Sequence, residues 1–396
     1  MLREAVTALL VAMPSYRSYV TRDGASEADR TMIARVADEA AAGLRHDEVL
    51  RALATIWTDP ANHAQMDFVI RLQQVSGALL AKAQEDTAGF RWTRYLPGNE
   101  VGAEPDEATI TARDATATLA RRRPGDMVLT SSHDSKRSED ARARLIAASH
   151  LPQDLGALDQ AAADLPEAAD VPPAWRWYMV QSALALHGAD EAPDRLARHV
   201  QKAMREAKED SFWTNPDEAL ETRVSDLGRA LLAEWEGAPP EALTRLLDRA
   251  QALVLMQLLL KTIMPGYPDI YQGTQDLFLA LTDPDNRRPP DWDGLGMIAD
   301  RDDLGSLKAQ WTRHLLHMRA AEADLLRDAS SEARIDEGGV ALIRRLDDRR
   351  LIARLDLPEA SVSDLPEGQA VLDWTGPDGC RVRLVEAGSG RGRADI

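Results

Sequence analysis

The chain has 396 residues, 44% of them hydrophobic and 28% charged, proportions that fit a folded protein rather than a disordered one. Its 65 acidic and 47 basic side chains give a formal net charge of −18, which opposes nucleic acid and anionic membrane surfaces as partners, since both need clustered Lys and Arg. The one cysteine, Cys380, excludes an internal disulfide and a cysteine-rich zinc site, and no apolar run approaches the roughly 18 residues of a membrane-crossing helix. A cytoplasmic protein is the simplest reading, and no metal or cofactor is expected.

The opening segment MLREAVTALLVAMPSYRSYV has an apolar stretch, Ala5 to Met13, of signal-peptide length. Glu4 before it and the lack of a small-residue cleavage site ahead of Tyr16 favour instead a helix stopped at Pro14. Ser26-Glu27-Ala28-Asp29 opens a second helix in the manner of a capping box, followed by Met32, Ile33, Val36 and Ala40 at helical spacing. Met66 to Ala83 repeats that pattern. The next segment, Phe90 to Gly102, is too polar for core and too aromatic for a plain linker.

Asp106 to Arg122 is predicted helical, Pro124-Gly125 a turn, and Met127 to Thr130 a short strand ending at Ser131-Ser132-His133-Asp134. Helices resume at Glu139 and run to about Met264, with a break at Pro172-Pro173. Leu253 to Ile263 is the most apolar helical stretch, ended by Pro265-Gly266. A strand of a few residues is expected within 266–273, and one more helix over Leu304 to Leu326. Beyond about 333 the periodicity changes to two, in runs at 340–344, 351–355, 370–373 and 382–385, which predicts a small antiparallel β domain. Residues 388–394 read as a frayed tail. The expected organisation is a helical subdomain with a pocket loop over 1–105, a strand-and-helix region over 106–330, and a small β-sandwich-like domain over 331–396.

Three segments carry chemistry. In Thr130 to Asp140 a strand delivers His133 and Asp134 at its C-terminal end, and Lys136-Arg137 opens the next helix. A carboxylate there can hold vicinal hydroxyls and stabilise an oxocarbenium-like transition state, with an imidazole donating to the same hydroxyls. The alternative is a helix N-cap with no catalytic role. In the second segment, Asp285, Arg287 and Arg288 offer charged hydrogen bonds, while Tyr271 and Trp292 offer stacking faces; a Pro/Gly-rich structural loop with a surface ion pair would look the same. The third segment, with Arg91, Arg94, Asn99 and Glu100, suits either carbohydrate binding or an interdomain contact. His314 and His317 lie three apart without a third ligand nearby, and Gly388-Ser-Gly390 follows no strand, so neither a metal site nor a phosphate loop is expected.

Taken together the segments resemble a known family. TSSHDSKRSEDARAR, residues 130–144, is similar to the Thr-His-Asp-Thr-Lys-Arg-Ser-Glu-Asp stretch of maltooligosyltrehalose synthases, in which the wider α-amylase superfamily places a His-Asp pair after its seventh barrel strand. Pro268-Asp-Ile-Tyr-Gln-Gly273 resembles the segment around the eighth strand, and Asp283-Pro-Asp-Asn-Arg-Arg-Pro289 the stretch after it. Tyr16-Arg-Ser-Tyr-Val20, Asn99-Glu-Val-Gly102 and Gln201 to Lys208 with Trp213 also match, in the same order along the chain.

The resemblance implies an α/β, mostly helical fold: the C-terminal part of a (β/α)8 barrel with a helical subdomain, plus a small C-terminal antiparallel β domain. It implies a reaction in which the reducing-end α-1,4 linkage of a maltooligosaccharide becomes α,α-1,1 by intramolecular transglycosylation. Asp134 would stabilise the transition state beside His133. Lys136, Arg137, Arg91, Arg94, Asn99, Glu100, Tyr271, Asp285 and Arg287 would line the substrate site. The family's nucleophilic Asp and acid/base Glu have no counterpart in the sequence, so the chain is expected to be inactive alone, and either to need a separately encoded N-terminal half or to be a fragment of a longer or frameshifted gene. Two barrel strands cannot close a barrel, and the apolar helix at 253–263 is expected to lack a sheet to cover it. The rival readings are an α-amylase-type hydrolase fragment, a non-catalytic maltooligosaccharide-binding or assembly subunit, and a plain helical scaffold.

Overall fold

The computed structural model describes residues 1–107 and 109–388. The chain divides into two compact units, Met1–Arg91 with Glu206–Lys208, and Trp92–Arg205 with Glu209 onward.

The first unit is helical: α1 (Leu2–Val11), α2 (Glu27–Ala42), α3 (Glu48–Thr58) and α4 (His63–Leu80), the last continuing with π-helical winding over Ala81–Ala88. The Ser26 hydroxyl accepts the Asp29 N–H and so caps α2, as its sequence signature predicts. Leu50, Leu53 and Trp57 fall on one face of α3 and pack with Leu9, Ile33, Val36, Met66, Val69 and Leu72 into one core. The buried polar groups are satisfied internally: the Trp57 indole donates to Ser18 Oγ at 2.8 Å, and that hydroxyl donates to Gln73 Oε1 at 2.9 Å.

The second unit holds, besides a short helix over Trp292–Gly296, α5 (Ala112–Arg121), α6 (Glu139–His150), α7 (Pro152–Ala163), α8 (Pro173–Leu186), α9 (Ala192–Ala207, whose last two residues belong to the first unit), α10 (Glu218–Gly237), α11 (Glu241–Ile263), α12 (Leu304–Ala321) and α13 (Ala323–Asp328). The helix expected from Asp106 begins only at Ala112, because Thr111 caps it by accepting the Asp114 N–H. The single helix expected over 304–326 is broken at Glu322. Two strands, β1 (Met127–Val128) and β2 (Tyr267–Pro268), pair in parallel, with Met127 opposite Tyr267. Gly266 permits their close approach: its φ is +118°, and a Cβ there would lie 2.4 Å from the Asp126 carbonyl oxygen.

The C-terminal strands are β3 (Ser330–Asp336), β4 (Gly339–Leu346), β5 (Arg349–Asp356), β6 (Gln369–Thr375) and β7 (Arg381–Ala387). They form one antiparallel sheet in the order β3-β4-β5-β7-β6, so the expected sandwich is a single sheet. Its second layer is helical. Leu342, Leu351, Ala353, Leu355, Val382 and Leu384 on one face share a core with Leu255, Leu258, Leu259 and Ile263 of α11 and Trp311 and Leu315 of α12. The apolar stretch of α11 is therefore covered, contrary to the expectation that it would lack a sheet. The missing cover is supplied by the β domain and α12 rather than by barrel strands. On the other face Ala341, Ile343, Ile352 and Val385 pack with Val362 from the β5–β6 connection. Of the expected tail, residues 389–394 lie outside the described residues, as does Ser389-Gly390 of the rejected phosphate loop.

Candidate functional site

The loop from β1 to α6 is mostly buried: Ser131 and every residue from Ser135 to Asp140 are sequestered, while His133 and Asp134 face solvent. Their side chains are 54% and 66% exposed, with His133 Nε2 3.3 Å from Asp134 Oδ2. The helix N-terminus behind them is served by another residue, since Ser131 Oγ accepts the Glu139 N–H at 2.7 Å. The Asp134 backbone N–H donates to Ser132 Oγ at 3.2 Å, which fixes the turn and leaves the carboxylate outward. The pair thus stands at the C-terminal end of a parallel strand without a capping task.

The loop is held by backbone contacts on two sides. The Glu100 carboxylate accepts from the N–H groups of Lys136 (2.6 Å), Arg137 (3.1 Å) and Val101 (3.0 Å), and pairs with Arg142 Nη1 at 3.3 Å. Asn286, 1% exposed, donates its Nδ2 to the carbonyls of Ser132 (3.2 Å), His133 (3.1 Å) and Ser135 (2.9 Å). The Tyr271 hydroxyl donates in turn to the Asn286 carbonyl at 3.1 Å. Burial raises the Tyr271 phenol above its ordinary value; Arg287 opposes this, and Asp134, Asp269 and Asp283 reinforce it, which places those charges around the ring. Arg287 is half exposed and paired with Asp283.

The other sequence-predicted residues are placed differently. Arg137 is fully buried and donates Nη1 to the Leu96 and Asn99 carbonyls at 3.2 and 3.1 Å. Lys136 is also buried. Both cations act on His199, a buried imidazole 2.8 Å from the Tyr178 hydroxyl; burial first, then Arg137, Lys202 and Lys136, hold it well below its ordinary value and hence neutral. Asn99 is buried, its Nδ2 donating to the Trp92 carbonyl at 3.3 Å. Arg94 lies over the Trp92 ring at 5.6 Å, and its carbonyl accepts the Trp177 indole N–H at 2.9 Å. Asp285 forms a two-pronged pair with Arg195 at 2.7 and 2.9 Å and accepts the Leu281 N–H at 2.8 Å. Arg91 belongs to the first unit, where its Nε donates to the Ala207 carbonyl at 2.7 Å.

Beneath the exposed pair lies a buried tetrad that the sequence reading missed. Glu139 meets Lys261 at 2.8 Å and Lys308 at 2.9 Å, and Lys308 also reaches Asp140 at 2.8 Å. Thr130 donates to Glu139, and Asp140 accepts the Phe278 N–H at 2.7 Å. Burial alone would raise the Glu139 carboxyl, but Lys308 and Lys261 lower it to about 2. Asp140, with one lysine and Glu139 alongside, is raised by its burial. One signal was available: Lys261 interrupts the most apolar helix, and a lysine there needs a buried acid.

No family model matches the chain. Over 237 residues, 56% of this chain, it is 37% identical to a Mycobacterium tuberculosis protein assigned as a maltooligosyl trehalose synthase, of which those residues are 30%. The fold is similar to that of the maltooligosyltrehalose synthase from Arthrobacter ramosus, with a TM-score of 0.73 and 27% identity over 98% of this chain and 54% of that one. The chain is homologous to part of the maltooligosyltrehalose synthases. A Sulfolobus tokodaii structure described as a hypothetical maltooligosyl trehalose synthase has the same fold, with a TM-score of 0.75 at 23% identity over 98% of this chain and 53% of its own. The α-amylase-type fold expected from the sequence is therefore the fold of the chain, in its strand-and-helix region and its C-terminal sheet. It spans about half the length of the synthase structures and under a third of the curated relative. Among the described residues no helix is long and apolar enough to cross a membrane.

Proposed function

We propose that this chain forms the His-Asp limb of a maltooligosaccharide site in a cytoplasmic maltooligosyltrehalose synthase, and that chemistry requires a nucleophile and an acid/base from outside these 396 residues. The observation that carries the reading is the His133–Asp134 pair: exposed, facing away from the helix it precedes, and set at the C-terminal end of a parallel strand. Asp134 would bind vicinal hydroxyls of the sugar ring at the cleavage point and offset developing positive charge at its anomeric carbon, while His133 donates to the same hydroxyls. Tyr271, whose phenol lies in the fields of both Arg287 and Asp134, would form the adjoining wall together with Arg287. Lys136, Arg137, Asn99, Glu100 and Asp285, engaged with protein groups, act on the sugar through the loops they hold; Arg94 is assigned to the flanking loop, and Arg91, in the first unit, is assigned no part in the site.

In the complete reaction the α-1,4 bond opens, the glycosyl group passes to a carboxylate, and the anomeric hydroxyl of the retained glucose displaces it to give the α,α-1,1 linkage. Water must be kept out for that outcome. The exposed Met127, Leu129 and Tyr267 on and beside the two-stranded sheet support a further segment that continues the sheet, whether a separately encoded N-terminal half or another part of a longer chain.

Calorimetry with maltopentaose tests the site. Binding by the wild-type chain that falls about tenfold or more in Asp134→Ala is expected, as for loss of charge-assisted hydrogen bonds; equal binding by both would sink the reading. Product analysis tests the chemistry. The polypeptide alone should yield no trehalose-capped product, and robust formation of one would overturn the proposed need for added carboxylates. A rise in reducing sugar would indicate a hydrolase instead.

A further inference from the structure

Two residues that fix the backbone of the His133–Asp134 turn from outside it contribute opposite kinds of group. Asn286 presents N–H donors to the three carbonyls of Ser132, His133 and Ser135. Glu100 presents carboxylate oxygens to the N–H groups of Lys136 and Arg137. A turn leaves both kinds of backbone group without ladder partners, and each one buried without a partner costs free energy. Donors on one side and acceptors on the other satisfy both sets, so the peptide planes of 132–137 are defined from two directions. We infer that Glu100 and Asn286 are a two-sided clamp of positioning residues that sets the orientation of His133 and Asp134; the purpose of that orientation rests on the sugar-site reading.

The contacts of each clamp residue argue for this role over direct contact with sugar. A carboxylate offers about four acceptor sites. Glu100 uses them on Val101, Lys136, Arg137 and Arg142, and its side chain is 13% exposed. Asn286 is buried, its Nδ2 is engaged by the three turn carbonyls, and its backbone carbonyl accepts from the Tyr271 hydroxyl. Through Asn286, hydrogen bonds join Tyr271 in the loop after β2 to the backbone of the turn after β1. A clamp built on backbone groups holds the turn whatever side chains it carries, so it leaves the exposed His133 and Asp134 side chains available to a ligand.

The test uses the full 396-residue chain with labelled histidine and no sugar. Three variants, Asn286→Ala, Asn286→Asp and Glu100→Gln, are compared with the wild type. The Asn286→Asp change keeps the side-chain size and removes the donors. Expected are amide exchange at least about tenfold faster over residues 134–137, equivalent to roughly 1.4 kcal/mol, and a shifted, broadened His133 ring resonance. Exchange at the buried Leu184 and Leu227 amides of the second unit should be unchanged, which separates a loosened turn from general unfolding of that unit. Wild-type exchange at 134–137 and an unmoved His133 resonance in folded Asn286→Ala and Glu100→Gln would overturn the clamp. Because no sugar is involved, this result is independent of the maltopentaose experiment.

Discussion

Two titratable pairs lie six residues apart, His133–Asp134 in the loop before α6 and Glu139–Asp140 in its first turn, and are treated in opposite ways. Asp134 with His133 is exposed and has one weakly placed neighbour at 3.3 Å. Glu139 with Asp140 is almost fully buried and meets two lysines at 2.8 to 2.9 Å. Their sequence contexts are nearly alike, each an acid near the start of α6 with basic residues close by. What differs is the solvent. Burying a carboxylate is tolerated only when opposite charge and hydrogen bonds replace its water, so the inner pair is committed to the fold. The outer pair keeps its hydration, contributes little to stability, and can exchange water for hydroxyls. Charge that stabilises the scaffold and charge that meets a ligand are separated here by a single turn of chain.

That contrast can be broken most directly at Lys308. Lys308→Met strips both inner carboxylates of a shared partner and should cost about 3–5 kcal/mol in urea unfolding; a loss below about 1 kcal/mol would mean the tetrad is not what secures the loop. Acid should act on the same group. The folded Glu139 carboxyl lies at about 2 against an ordinary 4.5, so its contribution to stability is complete above 4.5 and is lost as the pH falls toward 2. Thermal melting of the wild type should steepen across that window, and the Glu139→Gln variant should lack that part of the slope.

A smaller effect is expected at Ser131. Ser131→Ala removes the acceptor of the buried Glu139 N–H and should lower stability by about 1 kcal/mol. The smallest belongs to the outer pair: Asp134→Asn should change stability by no more than about 0.5 kcal/mol while weakening maltopentaose binding. A stability loss as large as that of Lys308→Met would erase the distinction between the pairs.

Much of the architecture was legible along the chain, for local reasons. Ser26 as a cap, the stop at Pro265-Gly266 and the change to period two beyond residue 333 each depend on a few neighbouring residues, and the elements appear where they indicate. The start of α5 was misplaced because Thr111 was overlooked as a cap. The single sheet in place of a sandwich, and its packing on α11, depend on which faces meet, which periodicity does not encode. The site divides the same way. His133 and Asp134 were visible because a strand followed by that pair is a local pattern. Asn286 was not, because its role lies in three carbonyls more than 150 residues earlier.

The sequence by itself determined the helical and strand segments, the absence of disulfide chemistry within the chain, and the order of motifs that is similar to part of the maltooligosyltrehalose synthases. Only the tertiary structure decided which acids face water and which are sealed beneath them. It also decided that Glu100, Arg137 and Asp285 spend their charges on the protein's own groups. The physical reason is that a side chain's chemistry is set by its solvation and its partners, and here the partners come from distant segments brought together by packing.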